Sequence, residues 1–497
     1  MAADRALPVP GPLAGDVPAR ERPAALSAVL AIAAASVFAI VLGYLVADGD
    51  SELALVLATA LPAVLLVVRY PFAGILLWLL VMPFFVRLGS EQPSIVMWGL
   101  HRLGLPALLV LLVLLHVLGL RKRDFRLHVV DVFLVLLLAI GVFNVLFFSP
   151  NPIRMLASFY DKVAMPIVLF WLVRVLAPGK RELGYLVAVG GVTIVVQSII
   201  GVMSWTAPAL LPEGWLGRAG ERTVGTLGGP APYTITLVFF AMLALYWSAS
   251  VADRRSPVRP LLAMLVLVAM LATFLSLSRG SWLGACLAFG GLVFVYPRVT
   301  ARVGTFAVVI FLVLLAAVAP FREQVLFAQE RLGEVDTIES RIVTNDAALR
   351  MMTERPLTGF GFGNFEAYDE AYKQRVGDIP LKLGGSAHNT YLNLAVELGL
   401  PATVLYLGVP LWLLATTLRR RTQLKRAGAE TWALVVVLWL ILADQFAVSN
   451  FLEMIHPNLW GTALWWITLG MIFVVLDRVR NETSPSPRPG AATFFAA

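Results

Sequence analysis

GYLVAVGGVTIVVQSIIGVMSW, residues 184–205, runs for 22 positions without an Asp, Glu, Lys or Arg. About 20 such residues make one helical bilayer crossing. In hydrocarbon, every backbone N–H and C=O must be bonded within the segment itself. Working outward, runs of the same kind are readable near 24–47, 53–68, 72–86, 105–120, 129–148 and 163–177 on one side. On the other side they lie near 232–250, 260–276, 282–296, 303–319, 391–417, 431–449 and 457–476. Arg69, Tyr70 and Pro71 leave only a tight turn between the second and third runs. The fold class that follows is all-α: a polytopic integral membrane bundle of about 12–14 transmembrane helices with one long extracytoplasmic loop.

Composition agrees. Of 497 residues, 59% are hydrophobic and 14% charged, against roughly 45–50% and 25% in a soluble domain. Mean hydropathy is +0.82. These values exclude a soluble enzyme, a disulfide-stapled secreted domain and a disordered chain. Cys286 is the single cysteine, so no intrachain disulfide can form. Five histidines without HExxH, and no GxxxxGK[ST], give no pointer to a metal-dependent hydrolase or to ATP hydrolysis, and no cofactor is expected. The +8 charge reflects basic residues gathered in short loops, as membrane topology requires. No nucleic-acid partner is implied.

With the N-terminus in the cytoplasm, most of the 39 Lys and Arg fall on cytoplasmic segments. Both termini are then expected inside. The expected organisation is a disordered tail at 1–23, an N-terminal bundle at 24–205, a core at 206–410 containing the loop 320–390, C-terminal helices at 411–479 and a second tail at 480–497. Within the loop, 321–355 is charged with helical spacing and Pro356 ends it. The following run GFGFGN permits tight turns and is weak evidence for a phosphate cradle.

Three polar stretches fall on the expected outer face. GRAGERTVGTLGGPAP (217–232) carries Arg218 and Arg222. SLSRGSWLG (276–284) carries Arg279 in a short turn between apolar runs. SAHNTYLNLAVELGL (386–400) puts His388 and Asn389 at the mouth of a long run. An arginine in such a place either snorkels to lipid phosphates or grips a ligand. Its planar fork matches phosphate oxygens, and two on one rim suit a diphosphate. His388 either bonds backbone at a helix start or acts as a general base, since imidazole titrates near neutrality.

SLSRGSWLG, ERPLTGFGFGNF (354–365) and HNTYLNLAVELGLP (388–401), in this order with a long loop between them, resemble the shared domain of the O-antigen ligase and O-antigen polymerase superfamily of bacterial membrane glycosyltransferases. The run from Arg222 through Gly225 to Pro230 resembles that family's upstream segment, with Ala231 where Asn often follows. The similarity covers roughly 220–410. It implies a donor glycan on undecaprenyl diphosphate and a glycan or lipid A core acceptor. It also implies metal-independent inverting transfer on the extracytoplasmic face of the bacterial inner membrane. Carried over by position, His388 is the base while Arg222 and Arg279 grip the diphosphate. A chain-length regulator and a flippase are candidate partners. A polymerase of O-antigen or exopolysaccharide repeat units is the first reading and a ligase the second.

Several other residues admit two readings. Asp48 and Asp50 form either a polar turn or a metal-binding pair. Arg218, Asn389, Tyr391 and Glu397 are substrate-binding candidates, and Glu397 is equally readable as a structural carboxylate. Asp444 and Gln445 lie inside an apolar run, where ionisable groups are functional by default. Trp205, Trp215 and Trp460 suit sugar stacking or an interfacial belt. A flippase of lipid-linked glycans is the rival from another class. Against it stand the lack of an evident internal repeat and the gathering of polar residues on one face.

Overall fold

The computed structural model describes residues 62–85, 97–119, 127–216, 222–251, 255–333, 336–381, 388–455 and 459–483. The chain divides into two compact units, Met1–Tyr70 and Pro71–Ala497. In the first, 62–69 is helical. The second contains helices α1 (Phe72–Phe85), α2 (Leu105–Val117), α3 (Val129–Phe148), α4 (Pro152–Phe159) and α5 (Met165–Leu176). Then come α6 (Lys180–Thr206), α7 (Pro230–Tyr246), α8 (Val258–Leu275), α9 (Arg279–Gly291) and α10 (Pro297–Ala317). The loop region holds α11 (Ala319–Gly333), α12 (Asp336–Glu354) and α13 (Phe365–Tyr372). The chain continues with α14 (Thr390–Arg419), α15 (Arg421–Arg426), α16 (Ala429–Phe451) and α17 (Leu459–Thr483).

Ten helices among the described residues are long and apolar enough to cross a membrane; α1 and Arg279–Phe294 are apolar but shorter. The architecture is an all-α polytopic membrane bundle. The twelve runs read between 72 and 476 each coincide with an apolar helix. The run 24–47, and most of 53–68, lie outside the described residues. One boundary differs in a way that matters. Arg279 is the first residue of α9 and not a turn residue, because Ser278 is already in extended N-cap geometry.

Hydropathy around each helix decides its depth in the bundle. Helix α17 is buried along its whole apolar window, whereas α10 has no buried residue and lies at the periphery. A helix apolar on every side belongs in a core or in lipid. Trp78 and Trp460 stack face to face at 4.9 Å in this core. Helices α9 and α16 pack closely through small residues: a Cβ at Gly280 would meet Phe451 at 3.0 Å, and one at Gly284 would meet Asp444 Oδ1 at 2.5 Å. Glycines spaced this way let membrane helix backbones approach.

Because the helices alternate in direction, the connections sort to two ends. One is rich in cations, including Lys180, Arg259, Arg298, Arg302, Arg420, Lys425 and Arg478. The other, called here the loop end, receives the connections after α3, α6, α8, α10 and α16.

Candidate functional site

Local strain marks the turn before Arg279. Leu277 has φ 52, a left-handed conformation that costs a non-glycine residue roughly 1–3 kcal/mol and persists only where its surroundings impose it. The Leu277 N–H bonds Phe274 O at 3.2 Å and the Ser276 N–H bonds Thr273 O at 3.3 Å. The turn aims the half-buried Arg279 off the start of α9.

Arg222 is brought to this turn through its neighbour. The Thr223 N–H reaches Leu275 O at 3.5 Å. Two residues further, Gly225 has φ +55, and a Cβ there would lie 2.1 Å from Gln197 Oε1. The Gln197 amide accepts from the Thr226 N–H at 2.9 Å and donates to Thr226 Oγ1 at 2.7 Å. Helix α6 thus pins the stretch that carries Arg222.

His388 joins from the other side. Asn389 caps α14, its Oδ1 accepting from the N–H groups of Tyr391 and Leu392 at 3.0 Å each. Its Nδ2 donates to Asn450 Oδ1 at 3.4 Å. Thr390 Oγ1 donates to Leu452 O at 2.9 Å and accepts from the Met454 N–H at 3.0 Å. The end of α16 therefore holds the start of α14, and the same end of α16 touches Gly280, beside Arg279. Helices α7, α9 and α14 all begin at the loop end, so their positive dipole ends face one region, which favours an anion there.

The loop supplies a residue that sequence reading did not single out. Arg341 of α12 lies within electrostatic range of both His388 and Arg279. Burial, with Arg279 beside it, pushes the Arg341 guanidinium below its ordinary value. Burial chiefly, and then Arg341, lowers the His388 imidazole from its ordinary value of 6.5. The histidine is thus biased to the neutral form that a base requires. Two guanidiniums within electrostatic range of one another repel, which favours an anion near them.

The loop is seated by an exchange of backbone hydrogen bonds. Gly399 interrupts α14 at φ 84, ψ 167, and Pro401 follows it. Within a continuous helix, Val396 O would bond the Leu400 N–H and Glu397 O the N–H of residue 401. Leu400 instead donates to Pro356 O at 2.8 Å, and proline has no N–H. The two released carbonyls accept from Phe360 at 2.9 Å and Gly361 at 3.0 Å. Of the GFGFGN amides, Phe360 and Gly361 are thus spent on the kinked helix, Gly359 on Arg355 O, Phe362 on Asn144 Oδ1 and Asn364 on Gly361 O, so the run does not form a phosphate cradle. Close approach demands the glycines: a Cβ at Gly359 would meet Glu397 O at 2.3 Å, and one at Gly399 would meet Leu357 O at 2.3 Å.

Asn144, buried in α3, locks this joint. Its Nδ2 donates to Thr358 O at 2.6 Å and Glu397 O at 3.1 Å, and its Oδ1 accepts from the Phe362 N–H at 2.8 Å. Ala348 and Met351 of α12 pack with Phe360, Phe365 and Val396, which holds α12, and Arg341 with it, over the start of α14. Asn144→Leu is expected to destabilise the joint by roughly 1–3 kcal/mol, because three backbone groups each lose a hydrogen bond. Faster limited proteolysis within 356–364 is the measurement, and wild-type resistance would remove Asn144 from this role.

The structure thus gathers Arg222, Arg279 and His388 at the loop end and adds Arg341. Asn389 is engaged as a helix cap. Tyr391 packs on Phe446 at 5.2 Å, against α16. Glu397 is buried, and its Oε1 accepts from the Phe365 N–H at 3.4 Å. Trp460 is fully buried in the stack with Trp78. Neither sugar stacking nor an interfacial belt therefore describes it, since core packing left its ring no exposed face. Trp215 meets Phe84 edge-on at 5.9 Å. Asp444 and Gln445 are buried in α16, Asp444 beside Gly284. Arg218, Asp48 and Asp50 lie outside the described residues. Of what the sequence reading missed, Asn144 carried a signal, an amide inside the apolar run 129–148. Arg341 carried none among the many charges of 321–355.

No curated protein matches the chain. A family model described as O-antigen ligase matches residues 261–407, the stretch from α8 through the kink of α14 that holds Arg279, Arg341 and His388. Within a bundle of membrane-spanning helices, the chain thus carries a domain similar to that of the O-antigen ligase family.

Proposed function

We propose that the protein transfers a glycan from undecaprenyl diphosphate to a sugar hydroxyl on the extracytoplasmic side of the bacterial inner membrane, joining repeat units of an O-antigen or exopolysaccharide. The match of residues 261–407 to the O-antigen ligase family model supports glycosyl transfer of the ligase or polymerase type. The observation that carries the finer reading is the convergence of Arg222, Arg279, Arg341 and His388 at one end of the bundle.

In this reading, neutral His388 takes the proton of the acceptor hydroxyl as its oxygen attacks the anomeric carbon. The bond from that carbon to the diphosphate oxygen breaks, and its electron pair leaves with the diphosphate. Attack opposite the leaving group inverts the anomeric centre. Arg222 and Arg279, with Arg341 beside them, stabilise the charge that grows on the diphosphate. The crowding of cations at the end opposite the site supports placing that end in the cytoplasm.

The polyprenyl tail fits a groove beside α9. A largely apolar cavity of about 440 Å³ is walled by α8, α9 and the start of α10, from Phe274 and Trp282 near the site to Thr300 and Val303 farther down. Cys286 lines it and is exposed. Undecaprenyl diphosphate is therefore expected to slow alkylation of Cys286 by an apolar maleimide several-fold. An unchanged rate would place the tail elsewhere.

The deciding experiment uses a strain that lacks the protein. Mass spectrometry of its undecaprenyl-diphosphate glycans should find single repeat units on the outer face. Long chains held on the carrier would instead make the protein a ligase. Units trapped on the cytoplasmic face would make it a transporter and overturn the enzyme reading.

A further inference from the structure

A second cavity lies at the cationic end, far from the residues proposed for transfer. It has a volume of about 210 Å³ and runs between the ends of α5 and α17 and the starts of α1, α6 and α16. Its deep walls are apolar, with Ile75, Leu186 and Ile467 almost fully buried. Its mouth is charged, with Lys180, Glu430 and Arg478. Eleven residues of α17 separate Ile467 from Arg478, about 17 Å along the helix axis at the α-helical rise. The cavity is thus narrow, apolar at depth and polar at one end, which is the shape of an amphiphile.

The charges at the mouth select its head. Arg478 Nη2 donates to Pro178 O at 3.1 Å, which orients the guanidinium over the mouth and uses one of its five N–H groups. The Lys180–Glu430 pair, at 3.4 Å, is exposed on both sides. Such a pair is weak and exchanges readily for another anion. Among the charged residues that line the cavity, Lys180 and Arg478 outnumber Glu430, so the rim carries a net positive charge. Basic pockets between membrane helices at this interface suit phosphate head groups.

We infer that this cavity is a binding site for an anionic glycerophospholipid, with one acyl chain along Leu186 and Ile467 and the phosphate at Arg478 and Lys180. The inference rests on charge complementarity and cavity shape. It is independent of the reaction proposed above. A bound lipid would brace α6, α16 and α17 against one another at the end that the loop does not cover.

The test uses the full chain, purified in detergent, delipidated and titrated with phosphatidylglycerol or phosphatidylcholine under native mass spectrometry. The expected result is one phosphatidylglycerol bound about tenfold more tightly than phosphatidylcholine, the scale of one charge-assisted contact. Arg478→Glu should abolish the preference, and Leu186→Trp should block binding of both lipids. Equal binding of the two lipids by the wild-type protein would overturn the inference, and that comparison needs no variant to fold. A preference undiminished in Arg478→Glu would overturn it too, as would release of a polyprenyl phosphate from the cavity on delipidation.

Discussion

Replacing His388 with alanine is expected to lower glycosyl transfer by about 10²–10⁴-fold, the usual contribution of a positioned general base, while the protein stays in the membrane at its normal level. Transfer of labelled glycan from a polyprenyl-diphosphate donor, in membranes carrying matched amounts of each variant, is the measurement. Full activity in the alanine variant would falsify the base assignment. A pH profile separates this role from a structural one. Burial and Arg341 hold the His388 imidazole below its ordinary value of 6.5. A base works when neutral, so activity should rise with pH on an acid limb below that value. Arg341→Gln removes a positive neighbour and should move the limb to higher pH. A limb that stays in place would mean that His388 does not set it.

The second large effect is expected at Arg279. Arg279→Ala should cost about 10²–10³-fold in rate, the scale seen when a preorganised group facing developing negative charge is removed. Arg279→Lys should be nearly as poor. A lysine is a point charge on a flexible stem and cannot present two parallel N–H groups to phosphate oxygens. The left-handed turn at Leu277 fixes the backbone that carries Arg279 into the start of α9. An unimpaired lysine variant would show that charge alone suffices. In both variants the packing of α9 on α16 is left intact, because Gly280 and Gly284 make that contact, so lost activity with unchanged thermal stability is the expected pair of readouts.

The joint between loop and bundle shows why some of the site was legible and some was not. GFGFGN and ELGLP read from the sequence as separate features, a glycine run in the loop and a part of the long apolar run 391–417. In the structure they answer one another: the kink at Gly399 and Pro401 frees two carbonyls, and the glycine run brings two amides close enough to take them. Asn144, which ties both together, is 253 residues from Glu397. No local pattern encodes a partner at that distance. The Asn389 reading illustrates the reverse difficulty. A residue next to His388 is an attractive substrate ligand, but a capping geometry already uses its side-chain oxygen, and local hydrogen bonds of that kind are competitive with any other role.

Membrane insertion and helix placement follow from the sequence alone, because hydropathy over about 20 residues is a local property that the bilayer reads segment by segment. The same is true of the arginines and the histidine as candidates, since their chemistry belongs to the side chains. Which of them meet, and in what electrostatic company, was decided by the tertiary structure. Arg341 reaches Arg279 and His388 only because α12 is packed on the start of α14. Burial, like-charge proximity and hydrogen-bond partners depend on contacts between distant segments, and those exist only once the helices have assembled.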